Sequence, residues 1–181
     1  MKRTLIGLSL LVGLSTIGYG VYRVLKEQTK LLKSYCWKIK NVVINTFRMD
    51  EVYLTFILLL KNQSDIDVTL TNFDLDVFLN NEKVAKVINT DIGIDWKARG
   101  VSEIKFDVKF NPKDVFSSIS KVTTLAIDIF SNKENVLIGV KGNVTAKHNF
   151  IKVSDLPIDY AMSLASITED KDNDNTYECK I

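Results

Sequence analysis

A strict alternation of apolar and charged residues is the feature that most constrains how this chain folds. The segment Val101–Phe110 has the sequence VSEIKFDVKF, in which every second residue from Ile104 to Phe110 is apolar and the residues between them are charged. Successive side chains of a β-strand point to opposite faces, whereas a helix repeats every ~3.6 residues. The segment therefore predicts an antiparallel strand with one face in the core and the other in solvent.

Stretches that fit strands recur along the chain with short connections between them. The predicted strands cover residues 35–46, 52–61, 68–79, 83–89, 101–110, 125–130 and 136–147. Asn80 and Asn81 suit a tight turn because asparagine tolerates positive φ, and residues 131–135 are predicted to close a second hairpin. About seven short strands are typical of an all-β sandwich or barrel.

One short helix is predicted to interrupt the strands. Asn111 suits an N-cap, Pro112 suits the first helical position, and Asp114 favours the positive end of the helix dipole. These residues predict a short helix that opens at residues 111–114 and continues over residues 115–119, covering one open end of the sandwich.

The N-terminal segment predicts a membrane anchor. Residues 4–22 contain no charged side chain, and extending the run to Leu25 gives a helix of about 33 Å, enough for the ~30 Å hydrocarbon core. A cleaved signal peptide covering residues 1–20 is the alternative, but no A-x-A-like cleavage site follows. Small residues four apart, at Ser9 and Gly13, are compatible with self-association through the anchor.

The net charge of +2 is the sum of two unlike parts. Residues 1–40 carry eight basic side chains and one acidic, a charge of +7, and the rest carries 16 basic and 21 acidic, a charge of −5. The acidic body argues against nucleic-acid binding. The basic flank after the anchor favours a cytoplasmic body by the positive-inside rule. The flanking lysines either stop transfer or attract anionic lipid.

The two cysteines and the acidic C-terminus predict a flexible C-terminal tail that is not bonded to the body. Two cysteines exclude a disulfide scaffold, so Cys36 and Cys179 are expected to be reduced and unpaired. A bridge requires the tail to return to the anchor end of the body in an oxidising compartment. We expect an anchor and basic stalk over residues 1–33, a sandwich over 34–160, and a flexible acidic tail over 161–181.

The residues that usually carry chemistry are sparse and scattered. His148 is the only histidine, and neither a nucleophile motif nor a set of metal ligands accompanies it. No glycine-rich phosphate loop is present, and the sequons that begin at Asn62 and Asn143 are short enough to arise by chance. We therefore predict no catalytic, cofactor-binding or metal-ligating residue, and no enzymatic activity.

The order of these features resembles the late embryogenesis abundant type 2 family, also called the water stress and hypersensitive response domain. The resemblance extends over residues 36–158. Four stretches carry it: residues 52–64, whose Asn62-Gln63-Ser64 stands where the family has an Asn-Pro-Asn-like turn; residues 66–85; Ala98-Arg99-Gly100; and Leu156-Pro157-Ile158. It implies an immunoglobulin- or fibronectin-III-like sandwich with one short helix. It also implies a non-enzymatic role in stress protection or in binding apolar or lipid-like ligands, with an N-terminal membrane anchor in many members.

The expected function is therefore that of a single-pass membrane-anchored sandwich that binds or protects partners, either a lipid-like ligand or a protein. The expected partner of residues 4–25 is the lipid bilayer. The alternative is a structural membrane-associated protein of a virus or bacteriophage particle, linking bilayer to shell in the virion membrane. An extracellular or periplasmic adhesion module is a further alternative, because sandwiches of this kind serve many roles.

Overall fold

Two four-stranded antiparallel sheets pack face to face to form a β-sandwich. The structure is a computed structural model that describes residues 22–148, 151–169 and 178–179. The first sheet has the strand order β5-β2-β1-β8 and the second has the order β4-β3-β6-β7. The strands are β1 Cys36–Phe47, β2 Val52–Lys61, β3 Val68–Leu79, β4 Glu82–Trp96, β5 Val101–Phe110, β6 Leu137–His148, β7 Ile151–Ser163 and β8 Glu178–Cys179. The helices are α1 (residues 22–33), α2 Pro112–Val115, α3 Ile119–Ser131 and α4 Leu164–Glu169, with a 3-10 turn at Lys133–Asn135.

The core lies between the two sheets and is formed by the apolar faces of their strands. Phe56 of β2 stacks on Phe106 of β5 at 5.2 Å between ring centroids, and Phe73 of the opposite sheet lies 6.0 Å from Phe106. The alternation in Val101–Phe110 is confirmed, because from Ser102 to Val108 buried and exposed residues alternate without a break. The predicted β-sandwich is therefore present.

The sandwich has two ends, which we name by the position of α1. The stalk end is where β1, β3, β5 and β7 begin, and α1 leads into β1 there. The far end is where the same strands finish, and α2, α3 and α4 lie there.

The predicted strand at residues 125–130 is wrong, because this segment lies within α3. Ser118 caps the helix by accepting a hydrogen bond from the Lys121 backbone N–H at 3.3 Å. Val122, Leu125 and Ile129 are buried at a spacing of three and four residues, which is the helical period. The apolar run had too few residues to distinguish the two periods.

The predicted cap and start of the short helix are confirmed, but the helix is shorter than predicted. The Asn111 side chain accepts a hydrogen bond from the Lys113 N–H at 3.0 Å, and Pro112 opens the helix. The helix covers Pro112–Val115 and ends where residues 115–119 were expected to continue it.

The body continues past the predicted boundary at residue 160. β7 runs to Ser163 on the edge of the second sheet, where Pro157 is tolerated, and α4 follows it. Leu164 and Ile167 of α4 are buried in the core. Residues 161–169 are thus part of the packed body, and residues 178–179 pair with the start of β1.

The predicted membrane span at residues 4–25 lies mainly outside the described residues. Residues 22–33 are helical, as expected for the stalk, and Tyr22, Val24 and Leu25 are exposed. Within the part of the chain that the structure describes, no helix combines the length and apolar character needed to cross a membrane.

Candidate functional surfaces at the two ends of the sandwich

A disulfide joins the two cysteines at the stalk end. Cys36 begins β1 and Cys179 lies beside it in β8, with a Cα–Cα distance of 4.0 Å. Cys36 is buried, and Gln63 donates a hydrogen bond from Nε2 to its sulfur at 2.9 Å. The prediction of reduced, unpaired cysteines is therefore wrong. The C-terminal segment returns to the stalk end, which was the geometric condition for a bridge.

Helix α1 is attached to the body through its side-chain contacts. Gln28 donates from Nε2 to Asp65 Oδ2 at 3.2 Å, and its Oε1 accepts from the Asp65 N–H at 2.8 Å. Four residues further on, Leu32 is completely buried in the core. The carboxylate of Asp65 also receives a hydrogen bond from Arg99 Nε at 2.7 Å. The stalk is thus held against the β2–β3 and β4–β5 loops.

Hydrogen bonds favour the charged form of both aspartates in the β2–β3 loop. The bond from Arg99, followed by that from Gln28, lowers the pKa of Asp65. The Ala98 N–H, followed by the Lys97 ammonium, lowers the pKa of Asp67. Both carboxylates are therefore ionised in neutral solution.

Asn62 organises the same loop from inside the core. Its side-chain N–H groups donate to the carbonyls of Ile66 at 2.9 Å and Trp96 at 3.3 Å. Its carbonyl oxygen accepts from the Ser64 N–H at 2.9 Å and the Ser64 hydroxyl at 2.7 Å. Asn62 is completely buried, so its sequon is a structural turn in the folded protein.

An aromatic cluster lies at the stalk end, near α1 and the β2–β3 loop. Tyr35 lies between Trp37 and Trp96, with ring centroids 5.3 Å and 6.1 Å away. Its hydroxyl donates to the Pro157 carbonyl of β7, and burial raises the pKa of the hydroxyl. Trp96 donates from Nε1 to the Leu60 carbonyl at 2.9 Å. The cluster links both sheets at the stalk end.

The far end presents an apolar stripe on the outer face of α3. Ile119, Ile127 and Phe130 are 68%, 54% and 67% exposed. Their spacing of eight and three residues places them on one side of a helix. The Phe130 ring also lies edge-on to Phe47 of β1 at 6.1 Å. This stripe lies on the solvent-exposed side of α3. It was not predicted, because the segment was interpreted as a strand.

The residues considered for chemistry are not brought together. His148 ends β6 near the stalk end. Asn143 is exposed on β6, one residue from the buried Val144. Across the described ranges, no three histidine, cysteine, aspartate or glutamate residues are grouped to hold a metal ion. The sequence had no signal for Gln28, the residue that attaches the stalk.

Comparisons with known proteins identify the fold and the family. A solution structure from Arabidopsis thaliana is 13% identical, with a TM-score of 0.50, and the match covers 70% of this chain and 78% of that one. A crystal structure from Archaeoglobus fulgidus is 11% identical, with a TM-score of 0.41, over 70% and 97% of the two chains. No curated protein matches. The family model described as late embryogenesis abundant protein, LEA_2, matches residues 58–161, more than half of the chain. The resemblance seen in the sequence is thereby confirmed, and the chain belongs to the late embryogenesis abundant LEA_2 family.

Proposed function

We propose that this chain is a non-enzymatic membrane-anchored β-sandwich that binds and protects protein partners through the outer face of α3. Membership of the LEA_2 family supports a non-enzymatic, stress-related role. The uncharged run at residues 4–22 supports the anchor, and an immunoglobulin-like arrangement of the sheets belongs to the same proposal.

The exposed stripe of α3 is the observation that carries the partner-binding role. Ile119, Ile127 and Phe130 remain in water although the opposite side of the helix packs into the core. Exposed large apolar groups on one side of a helix favour association with another apolar surface. They lie at the far end, away from the predicted anchor, where a partner has access to them.

A substitution in this stripe is expected to reduce protection of a client protein. Ile127→Lys places a charge in the stripe while leaving the buried Val122, Leu125 and Ile129 in place. We expect at least a roughly threefold loss in the amount of a heat-labile dehydrogenase kept soluble by the full chain. The measurement is light scattering during heating and activity after drying.

The matched control is a lysine introduced elsewhere on the same helix. Thr124 is exposed but lies about 60° or more around the helix axis from the stripe residues. Thr124→Lys should protect the client as well as the unmodified chain does. Equal protection by both lysine variants and by the unmodified chain would contradict the role of the stripe.

We propose further that the body faces an oxidising compartment. The support is the Cys36–Cys179 disulfide, because disulfides persist outside the reducing cytosol. This proposal reverses the orientation that the basic flank favours. The positive-inside rule describes a statistical preference in orientation. A disulfide between the two ends of the body, by contrast, requires an oxidant to form, so we give it more weight.

A further inference from the structure

We propose that the stalk end of the sandwich rests on anionic lipid headgroups, with Lys147 and Lys152 of the β6–β7 hairpin as principal contacts. The inference rests on the proposed membrane anchor at residues 4–25. In this arrangement the body contacts the bilayer surface. The alternative is a body that the stalk separates from the bilayer.

The attachment of α1 determines how close the body comes to the membrane. The body first contacts the helix at Gln28, through the two hydrogen bonds to Asp65. Leu25, the last residue of the predicted span, precedes Gln28 by three residues and is 42% exposed. At a helical rise of 1.5 Å per residue, this separation is about 4.5 Å. The β2–β3 loop therefore begins at the level of the headgroups.

The β6–β7 hairpin lies at this same end. Lys147 pairs with Thr69 near the start of β3, and on its other side Thr69 pairs with Asp95 of β4. Asp95 is 3.7 Å from Lys97, which is 3.1 Å from Asp67. The hairpin is thus continuous with the loops that hold α1.

Among the residues that the structure describes, the lysines of this surface have no carboxylate partner. Lys147 and Lys152 are direct neighbours across the two strands, an arrangement in which like charges repel. Both are exposed, and neither makes an ion pair with another described residue. Lys26, Lys30 and Lys33 of α1 share one helix face and also make no ion pair within the described ranges. An anionic surface within the Debye length of ~8 Å relieves this repulsion.

The test measures the accessibility of individual lysines in the full chain. The chain is inserted into nanodiscs of phosphatidylglycerol or of phosphatidylcholine and treated with a membrane-impermeant amine-acetylating reagent. Mass spectrometry follows the acetylation rate at each lysine. Lys113 and Lys133 are exposed at the far end and serve as internal controls. Co-elution of the chain with the discs reports insertion separately.

We expect Lys147 and Lys152 to react at least about fivefold more slowly in phosphatidylglycerol discs than in phosphatidylcholine discs, with Lys113 and Lys133 unchanged. The protection should decline in 0.5 M salt, because the Debye length then falls to roughly half. Equal rates at Lys147 and Lys152 in the two lipids, with the chain inserted, would overturn this inference alone. Failure of the chain to enter either disc would overturn the proposed anchor and this inference together.

Discussion

Gly142→Ala is expected to lower the free energy of unfolding by about 3 kcal/mol or more, because a methyl group does not fit between β6 and β3. Gly142 has φ +155, and a Cβ at this position would overlap the Asp74 carbonyl oxygen and lie 2.9 Å from the Leu75 Cα. These obstacles are backbone atoms of the neighbouring strand. Removing this steric overlap therefore requires β6 and β3, two hydrogen-bonded strands in the middle of the second sheet, to move apart.

Gly93→Ala is the matched control for this substitution. Gly93 has φ +60 in β4, and a Cβ there would meet nothing within 4 Å. Alanine at Gly93 should therefore cost only the conformational strain, about 1 kcal/mol. Urea denaturation of the full chain in detergent, followed by tryptophan fluorescence, compares the two. Equal loss of stability in the two variants would contradict the close approach of β6 to β3.

Breaking the Cys36–Cys179 disulfide should have the other large effect on stability. The bridge closes a loop with a sequence separation of 143 residues, and the chain-entropy account then assigns it up to about 5 kcal/mol. Cys179→Ser is the better variant because Cys179 is exposed, whereas Cys36→Ser would place a hydroxyl in the core. We expect the denaturation midpoint to fall in Cys179→Ser.

Reductant provides the internal control for this experiment. Dithiothreitol should lower the midpoint of the unmodified chain to that of Cys179→Ser and leave the variant unchanged. In denaturant, a maleimide should label no thiol in the oxidised chain and both cysteines after reduction, because unfolding exposes the buried Cys36. Two reactive thiols in protein purified without reductant from its native compartment would show that the chain exists there without the bridge.

The strands could be predicted where the sequence alternates without interruption. Among the described strands, Val101–Phe110 pairs only with β2, and it has one buried face, so its pattern reflects its environment directly. β7 was not predicted because a residue with positive φ, Asp155, and Pro157 disturb its alternation. A register shift opposite this segment, between Val144 and Ala146, reflects the same irregularity.

The rest of the fold and the candidate surfaces could not be predicted, because they depend on contacts between residues that are distant in sequence. The α3 segment satisfies both periods over six residues, and packing of Val122 and Leu125 into the core decides between them. The contact between Gln28 and Asp65 and the disulfide each depend on segments that are distant in sequence. A single sequence contains no local signal for such contacts.

Alkaline carbonate extraction of membranes containing the full chain tests the central claim most directly. The unmodified chain should stay in the membrane pellet. The double variant Leu11→Arg/Leu14→Arg should appear in the supernatant, because each arginine at the centre of a span costs roughly 3 kcal/mol. Release of the unmodified chain into the supernatant would contradict membrane anchoring by residues 4–25.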